Sequence, residues 1–212
     1  TRLKVLSRRQ HRVLSPAWCA ILLPLPTHSP NATPRRRAPP PEPWKVPMPP
    51  ENKLPDAAQR VADLLARNGH AGPIVMLPAT GKTSAQAAAG LGCTVAEIAK
   101  SIVFRRLADD TAVMVVASGA NRVDEQKIAA LVGPLGKADA AFVRQHTGYS
   151  IGGVCPIGHL RETIILVDQD LLRFDSVWAA AGHPHAVFKL TPRELLALTG
   201  AQAVDVASRN LA

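Results

Sequence analysis

Four glycines and a proline fall within the twelve residues Gly148-Tyr149-Ser150-Ile151-Gly152-Gly153-Val154-Cys155-Pro156-Ile157-Gly158-His159. Glycine at that density lets backbone come close to another group. Peptide N–H groups at Gly152, Gly153 and Gly158 can then face a phosphate, a carboxylate or a developing oxyanion, and Pro156 fixes the turn that aims them. The same run also reads as an irregular hairpin with a glycine bulge between two strand-like segments. A second segment, Ile98-Ala99-Lys100-Ser101-Ile102-Val103-Phe104-Arg105, sets one lysine before an otherwise apolar strand. As a compact cation Lys100 suits a phosphate or the charge near an ester carbonyl, where arginine is no simple replacement. Its competing role is to cap the C-terminal carbonyls of a preceding helix.

Other residues invite chemistry less specifically. Asn121 and Asp124, in Ser118-Gly119-Ala120-Asn121-Arg122-Val123-Asp124, can shape a site or form a turn and a helix cap. Asp168 closes an apolar strand, with Asp170 just beyond. Cys155 is a conceivable nucleophile and equally a small packing residue. Gly81-Lys82-Thr83 follows a strand and precedes a helix as a P-loop does, but Met76 stands where that motif needs its first glycine. His183, His185, Cys155 and His159 match no standard zinc spacing. Neither a metal nor a cofactor is expected.

Amphipathic and capping signals place these residues on elements. Residues 56–68 read as a helix with Ala58, Val61, Leu64 and Leu65 on one face and Gly69 past its end. A strand follows at 74–77. Thr83 caps a short helix that ends before Gly90, and Thr94-Val95-Ala96-Glu97 has capping-box spacing for another. This places Lys100 where a helix gives way to a strand at 101–105. Asp109-Asp110 makes a hairpin turn into a buried strand at 111–117. Helices are expected after Asp124 and Asp139, strands at 163–167 and 185–190, and a last helix from Thr191-Pro192-Arg193-Glu194 to Gly200. Adjacent strands and short helices without a regular βαβ repeat predict a single α/β domain with a mixed sheet.

Composition sets bounds. The formal charge is +9, yet residues 1–47 carry nine Lys/Arg against Glu42 alone, while residues 48–212 carry sixteen against fifteen acids. The folded part is nearly neutral, so any nucleic-acid surface there must come from local clustering. Residues 1–47 also hold ten of the nineteen prolines, and are expected to be a disordered basic tail or an upstream extension of a reading frame that starts at Met48. Arg8-Arg9 before Ala17-Trp18-Cys19-Ala20-Ile21-Leu22-Leu23 is a poor signal peptide, being crowded by Pro16, Pro24 and Pro26. No apolar run reaches the roughly 18–20 residues that span a bilayer. Three scattered cysteines, Cys19, Cys93 and Cys155, suit reduced thiols in a cytoplasm.

Taken together, the two segments, the Asn121 motif, the strand ending Ile164-Ile165-Leu166-Val167-Asp168 and the tail Pro184-His185-Ala186-Val187-Phe188-Lys189-Leu190-Thr191-Pro192 resemble the YbaK/EbsC family of aminoacyl-tRNA deacylases, related to the editing insertion of bacterial prolyl-tRNA synthetases. The resemblance covers roughly residues 55–207, with several motifs in family order and spacing. It implies a twisted, partly barrel-like sheet surrounded by helices over residues 48–212. It also implies catalysis by backbone groups, a lysine and the substrate itself, which suits a chain with no convincing Ser/His/Asp set. Lys100, Gly152, Gly153 and Gly158 are then the expected catalytic positions. Asp168, Asn121, Cys155 and Pro156 are expected on the substrate side, with Asp168 orienting the aminoacyl ammonium or the 3′ end. Since family members also carry serine or proline at the Cys155 position, a covalent thiol mechanism is disfavoured. The implied activity is removal of a small noncognate amino acid from tRNA, foremost tRNA for proline, with prolyl-tRNA synthetase as a further partner. The alternative is a non-catalytic module that binds a tRNA end or a synthetase with the same pocket.

Overall fold

The valine-rich segment after Asp109-Asp110 forms strand β3 (Ala112–Ser118), in which every residue is buried. It belongs to a sheet whose other strands are β1 (Ile74–Met76), β2 (Ile98–Arg106), β4 (Leu135–Lys137), β5 (Thr163–Asp168), β6 (Val177–Ala180), β7 (Ala186–Leu190) and β8 (Gln202–Val204). In the computed structural model, which describes residues 53–77 and 83–208, the strand order is β1-β7-β6-β2-β3-β5-β8, with β4 also pairing β2. The β2–β3, β2–β4, β6–β7 and β1–β7 pairs are antiparallel; β2–β6, β3–β5 and β5–β8 are parallel. The expectations for residues 1–47 and for Gly81 and Lys82 lie outside the described residues.

One edge of β2 is shared by two partners. Ile98 and Ala99 pair with Trp178 and Ala179 of β6, and Phe104, Arg105 and Arg106 pair with β4, while β3 occupies the opposite edge. Residues 100–103 thus have no strand beside them on that edge, and the sheet opens there. Side-chain alternation sorts the two faces. Ala99, Met114, Val116, Ala179 and Phe188 join one core with Ala58, Val61 and Leu65 of helix α1 (Asp56–Arg67). Val143 of α4 (Ala140–Thr147) and Leu195 of α5 (Pro192–Thr199) complete it. Each such large side chain taken from water contributes about 1.5–3 kcal/mol. On the other face, Phe104, Val113 and Val115 pack with Ile128 of α3 (Glu125–Val132), while Ile98 and Val187 pack with Ala87 and Ala88 of α2 (Ser84–Leu91).

Most caps act as the residue types dictate. Thr83 accepts the N–H of Gln86 and completes a capping box, Asp124 accepts the N–H groups of Gln126 and Lys127, and Asp139 accepts that of Phe142. Thr191 and Glu194 form the box that opens α5, with Pro192 at its start. Four expectations need correction. Helix α2 runs past Gly90 and stops at Gly92. The capping box of Thr94 and Glu97 opens a single 3-10 turn, Val95–Glu97, not a helix. Lys100 is therefore the third residue of β2 and not a helix–strand junction. The helix expected after Asp139 is α4 and runs up to the glycine-rich run, where Gly148, at φ 76°, ends it, so the run is not flanked by a strand on its N-terminal side.

Candidate functional site

Lys100 is held by backbone from the end of β3. Its ammonium donates to the carbonyl oxygens of Gly119 at 3.3 Å and Asn121 at 2.5 Å. The helix-capping role does not apply, because these carbonyls follow β3. Three N–H bonds are available to an ammonium, so one remains for an outside acceptor. Burial lowers its pKa from the ordinary lysine value; the nearby Asp168 carboxylate opposes that shift, and Arg122 adds to it.

Asp168 and Asn121 build the support under this lysine. Asp168 is fully buried and accepts the N–H of Ser118 at 3.1 Å, the Asn121 side-chain amide at 2.8 Å and the N–H of Asp170 at 3.0 Å. The same Asn121 amide reaches Asp170 at 2.8 Å. The Asp168 carboxylate fixes Asn121, whose backbone carbonyl fixes Lys100. Neither Asp168 nor Asn121 lines the cleft beside Lys100. In this arrangement the Asp168 carboxylate is taken up by Ser118, Asn121 and Asp170.

The glycine-rich run is folded back on itself. The buried Tyr149 hydroxyl donates to the carbonyls of Ile157 at 2.9 Å and Gly158 at 3.3 Å, beneath the Arg60 guanidinium at 4.9 Å from the ring. The Nε2–H of His159 donates to the Cys155 carbonyl at 2.9 Å, and the Gly153 N–H donates to the Ser150 carbonyl at 3.0 Å. Gly153 is thus already engaged. A Cβ there would lie 2.4 Å from the carbonyl carbon of His183 and 2.6 Å from the nitrogen of Pro184, so glycine is needed for close backbone packing. At Gly158 a Cβ would meet Leu64 and the Tyr149 hydroxyl at 2.9 Å, away from the cleft. Gly152, at φ 90°, does line the cleft, as does Val154. Their N–H groups have no acceptor among the described residues.

The cleft holds about 170 Å³ and lies where β2 loses β6. Lys100, Ser101, Gly152 and Val154 meet around it, with Ala99, Ala180 and Ala186 as small apolar walls. Sequence reasoning assigned no role to Ser101. Its hydroxyl is buried on the cleft wall without a hydrogen-bond partner, and a buried polar group in that state costs about 1–3 kcal/mol unless something meets it. Cys155 and Pro156 are both buried and do not line the cleft. Burial pushes the Cys155 thiol up to about 12, and its side chain lies in the main core. Among the described residues no group of three or more His, Cys, Asp or Glu is placed to hold a metal ion, and no helix is long and apolar enough to cross a membrane.

The sequence profile of the aminoacyl-tRNA editing domain matches residues 79–198. The uncharacterized protein YwhH of Bacillus subtilis (strain 168) is 35% identical over 114 residues, which are 53% of this chain and 72% of that protein. Among solved structures, that of a proposed trans-editing enzyme for prolyl-tRNA synthetase aligns with a TM-score of 0.70 at 43% identity, covering 74% of this chain and 100% of the other. Hypothetical protein APE2540 aligns with a TM-score of 0.65 at 31% identity, covering 70% and 99%.

Proposed function

The chain belongs to the aminoacyl-tRNA editing domain family, and on that premise we propose that it is a trans-editing deacylase that hydrolyses the ester of a mischarged aminoacyl-tRNA. One observation carries this reading. Lys100, with one donor to spare, meets the free N–H groups of Gly152 and Val154 and the unpartnered hydroxyl of Ser101 around a cleft of about 170 Å³. An aminoacyl ester is already activated, so preorganised donors that stabilise its oxyanion and a positioned water suffice. Water attacks the ester carbonyl, the carbon–oxygen bond to the ribose breaks, and the leaving ribose oxygen takes up the proton that water gives up. The adjacent ribose hydroxyl relays it, which removes any need for a protein base. In this reading the Gly152 and Val154 amides receive the oxyanion, and Lys100 holds the terminal phosphate or the carbonyl edge.

Size supports the direction of selectivity. A synthetase pocket separates side chains that differ by one methylene by only about 1–3 kcal/mol, and a second, smaller site must remove what slips through. A cleft of about 170 Å³ walled by Ala99, Ala180, Ala186 and Val154 suits alanine and similarly small groups. The likeness to a proposed trans-editing enzyme for prolyl-tRNA synthetase favours tRNA for proline, acting beside that synthetase in the cytoplasm. The test is a deacylation panel on this tRNA charged with alanine, 2-aminobutyrate, serine, cysteine or proline. We expect rapid release of at least one small noncognate residue and slow release of proline. Failure to exceed the enzyme-free rate with every member would overturn the reading.

A further inference from the structure

A cleft of about 170 Å³ leaves the adenine of a 3′ end without a place inside. Binding sites for larger ligands run to about 300–1,000 Å³, so once an aminoacyl group fills this one the base must lie at its mouth. The folded part also has little net charge to draw RNA in, with sixteen cationic side chains against fifteen acids over residues 48–212. Affinity for a single-stranded end must then come from somewhere other than bulk electrostatics, and stacking on an exposed aromatic face is the usual source.

Among the described aromatic residues, Trp178 alone lines the cleft. It stands on β6 directly opposite Ile98 of β2, and alternation puts it on the same face of the sheet as Lys100, two residues further along β2. It is half-buried, with Val177 and Ala179 on either side turned into the core. The same side chain forms a wall of a second, open groove of about 430 Å³, with Cys93, Thr94, Glu97, Ser176 and Lys189 around it. Trp178 is therefore the shared boundary of the cleft and an adjoining channel. Its cross-strand neighbour Lys189 is exposed and holds its ammonium 5.9 Å from the ring centre. The carboxylate in that groove, Glu97, is bound at 2.7 Å by both the N–H and the hydroxyl of Thr94.

We propose that Trp178 is the stacking platform for the terminal adenine of the tRNA 3′ end, with the aminoacyl group in the cleft on one side and the preceding nucleotides leaving along the groove past Lys189. The assignment rests on the deacylase reading for its ligand but makes a separate claim about binding. A base stacked on the indole needs no sequence readout, and the neighbouring ammonium of Lys189 faces the phosphate on the 5′ side of that nucleotide.

The experiment has two arms. In the first, Trp178 emission is followed in a Trp18→Phe, Trp44→Phe background while a single-stranded hexaribonucleotide ending in CCA is added, with the same strand carrying an abasic terminal residue as control. The CCA strand is expected to quench and the abasic strand to have little effect. In the second, Trp178→Phe and Trp178→Leu are assayed on charged tRNA. Loss of one stacked base corresponds to about a 5- to 150-fold rise in KM for Trp178→Leu, with kcat within about threefold of the parent and Trp178→Phe close to normal. A working deacylase whose Trp178 is not quenched, or whose folded Trp178→Leu variant keeps its KM, overturns the platform and leaves the deacylase reading standing. Quenching by the CCA strand in a protein that hydrolyses no charged tRNA upholds the platform and sinks the deacylase reading. If Trp178→Leu does not fold, the quenching arm and the Trp178→Phe variant decide.

Discussion

Lys100 separates two kinds of contribution that one side chain can make. Two of its ammonium bonds go to the carbonyls of Gly119 and Asn121, so Lys100→Ala leaves those acceptors to water in a part-buried setting and should lower the melting temperature modestly without unfolding the protein. In the proposed deacylase the third donor goes to the substrate, and losing a charge-assisted bond worth about 1.5–3 kcal/mol should cost about 10- to 150-fold in kcat/KM. Near-normal turnover by a folded Lys100→Ala protein would take the lysine out of the mechanism. Cys155 makes the opposite case. Its thiol is fully buried with its pKa pushed up to about 12, and in Cys155→Ser or Cys155→Ala the neighbouring backbone donors persist, so turnover should survive at a substantial fraction of the parent rate. Trapping an acyl-enzyme on Cys155 would contradict this. Lys100 and Gly152 were legible in the sequence because a lone cation and a glycine cluster are unusual residue choices. Ser101 was not, since a serine in a strand acquires meaning only when its hydroxyl is seen buried and unmatched.

Elements explain what the residue types alone could not orient. Asp168 and Asn121 were visible as polar residues at strand and turn ends, but their direction depends on pairing across about 50 positions of chain, which brings Ser118 and Asn121 to the Asp168 carboxylate. Strand β6 escaped the sequence reading because Val177-Trp178-Ala179-Ala180 is only four residues long and ends in two alanines, which strands disfavour. Its two-residue pairing with β2 is nonetheless what leaves the gap beside Lys100. In the glycine-rich run, chain chemistry was legible and the division of labour was not. A methyl group at Gly153 would collide with backbone of His183 and Pro184, whereas one at Gly152 would meet only Pro184 side-chain carbons at 4.0 Å, with φ at 90° as its penalty. Gly153→Ala should therefore lose more stability in denaturant melts, about 1–3 kcal/mol, than Gly152→Ala, for which left-handed strain costs about 1–2 kcal/mol. Gly152→Ala should in turn bear more on kcat, because its amide lines the cleft. Equal effects of both substitutions on stability and turnover would undo this division.

At the scale of the whole molecule, burial of the glycine-rich run should make folding stability depend on alkaline pH. Cys155 and Tyr149 both sit in the main core, and burial raises their pKa values from 9.0 and 10.0 to about 12 in each case. In the unfolded chain these groups release protons near their ordinary values, whereas in the folded protein they keep them. The folded state then binds more protons, so stability must fall as pH rises, starting near pH 9 for the thiol and near pH 10 for the phenol. For the thiol alone the slope is about 1.4 kcal/mol per pH unit up to about pH 12. Lys100 acts in the other direction, because its lowered folded pKa makes the unfolded state the better proton binder just below 10.5. Comparison with Cys155→Ala removes this overlap. The cavity left by the substitution lowers stability by an amount that does not vary with pH, while the thiol's contribution varies only above pH 9. Urea melts of the two proteins from pH 7 to pH 10.5 should therefore give curves separated by a constant up to about pH 9 that converge above it. Curves that stay parallel throughout would mean that the Cys155 thiol titrates equally in both states, and that the loop carrying the candidate oxyanion donors is not sealed by the core beneath it.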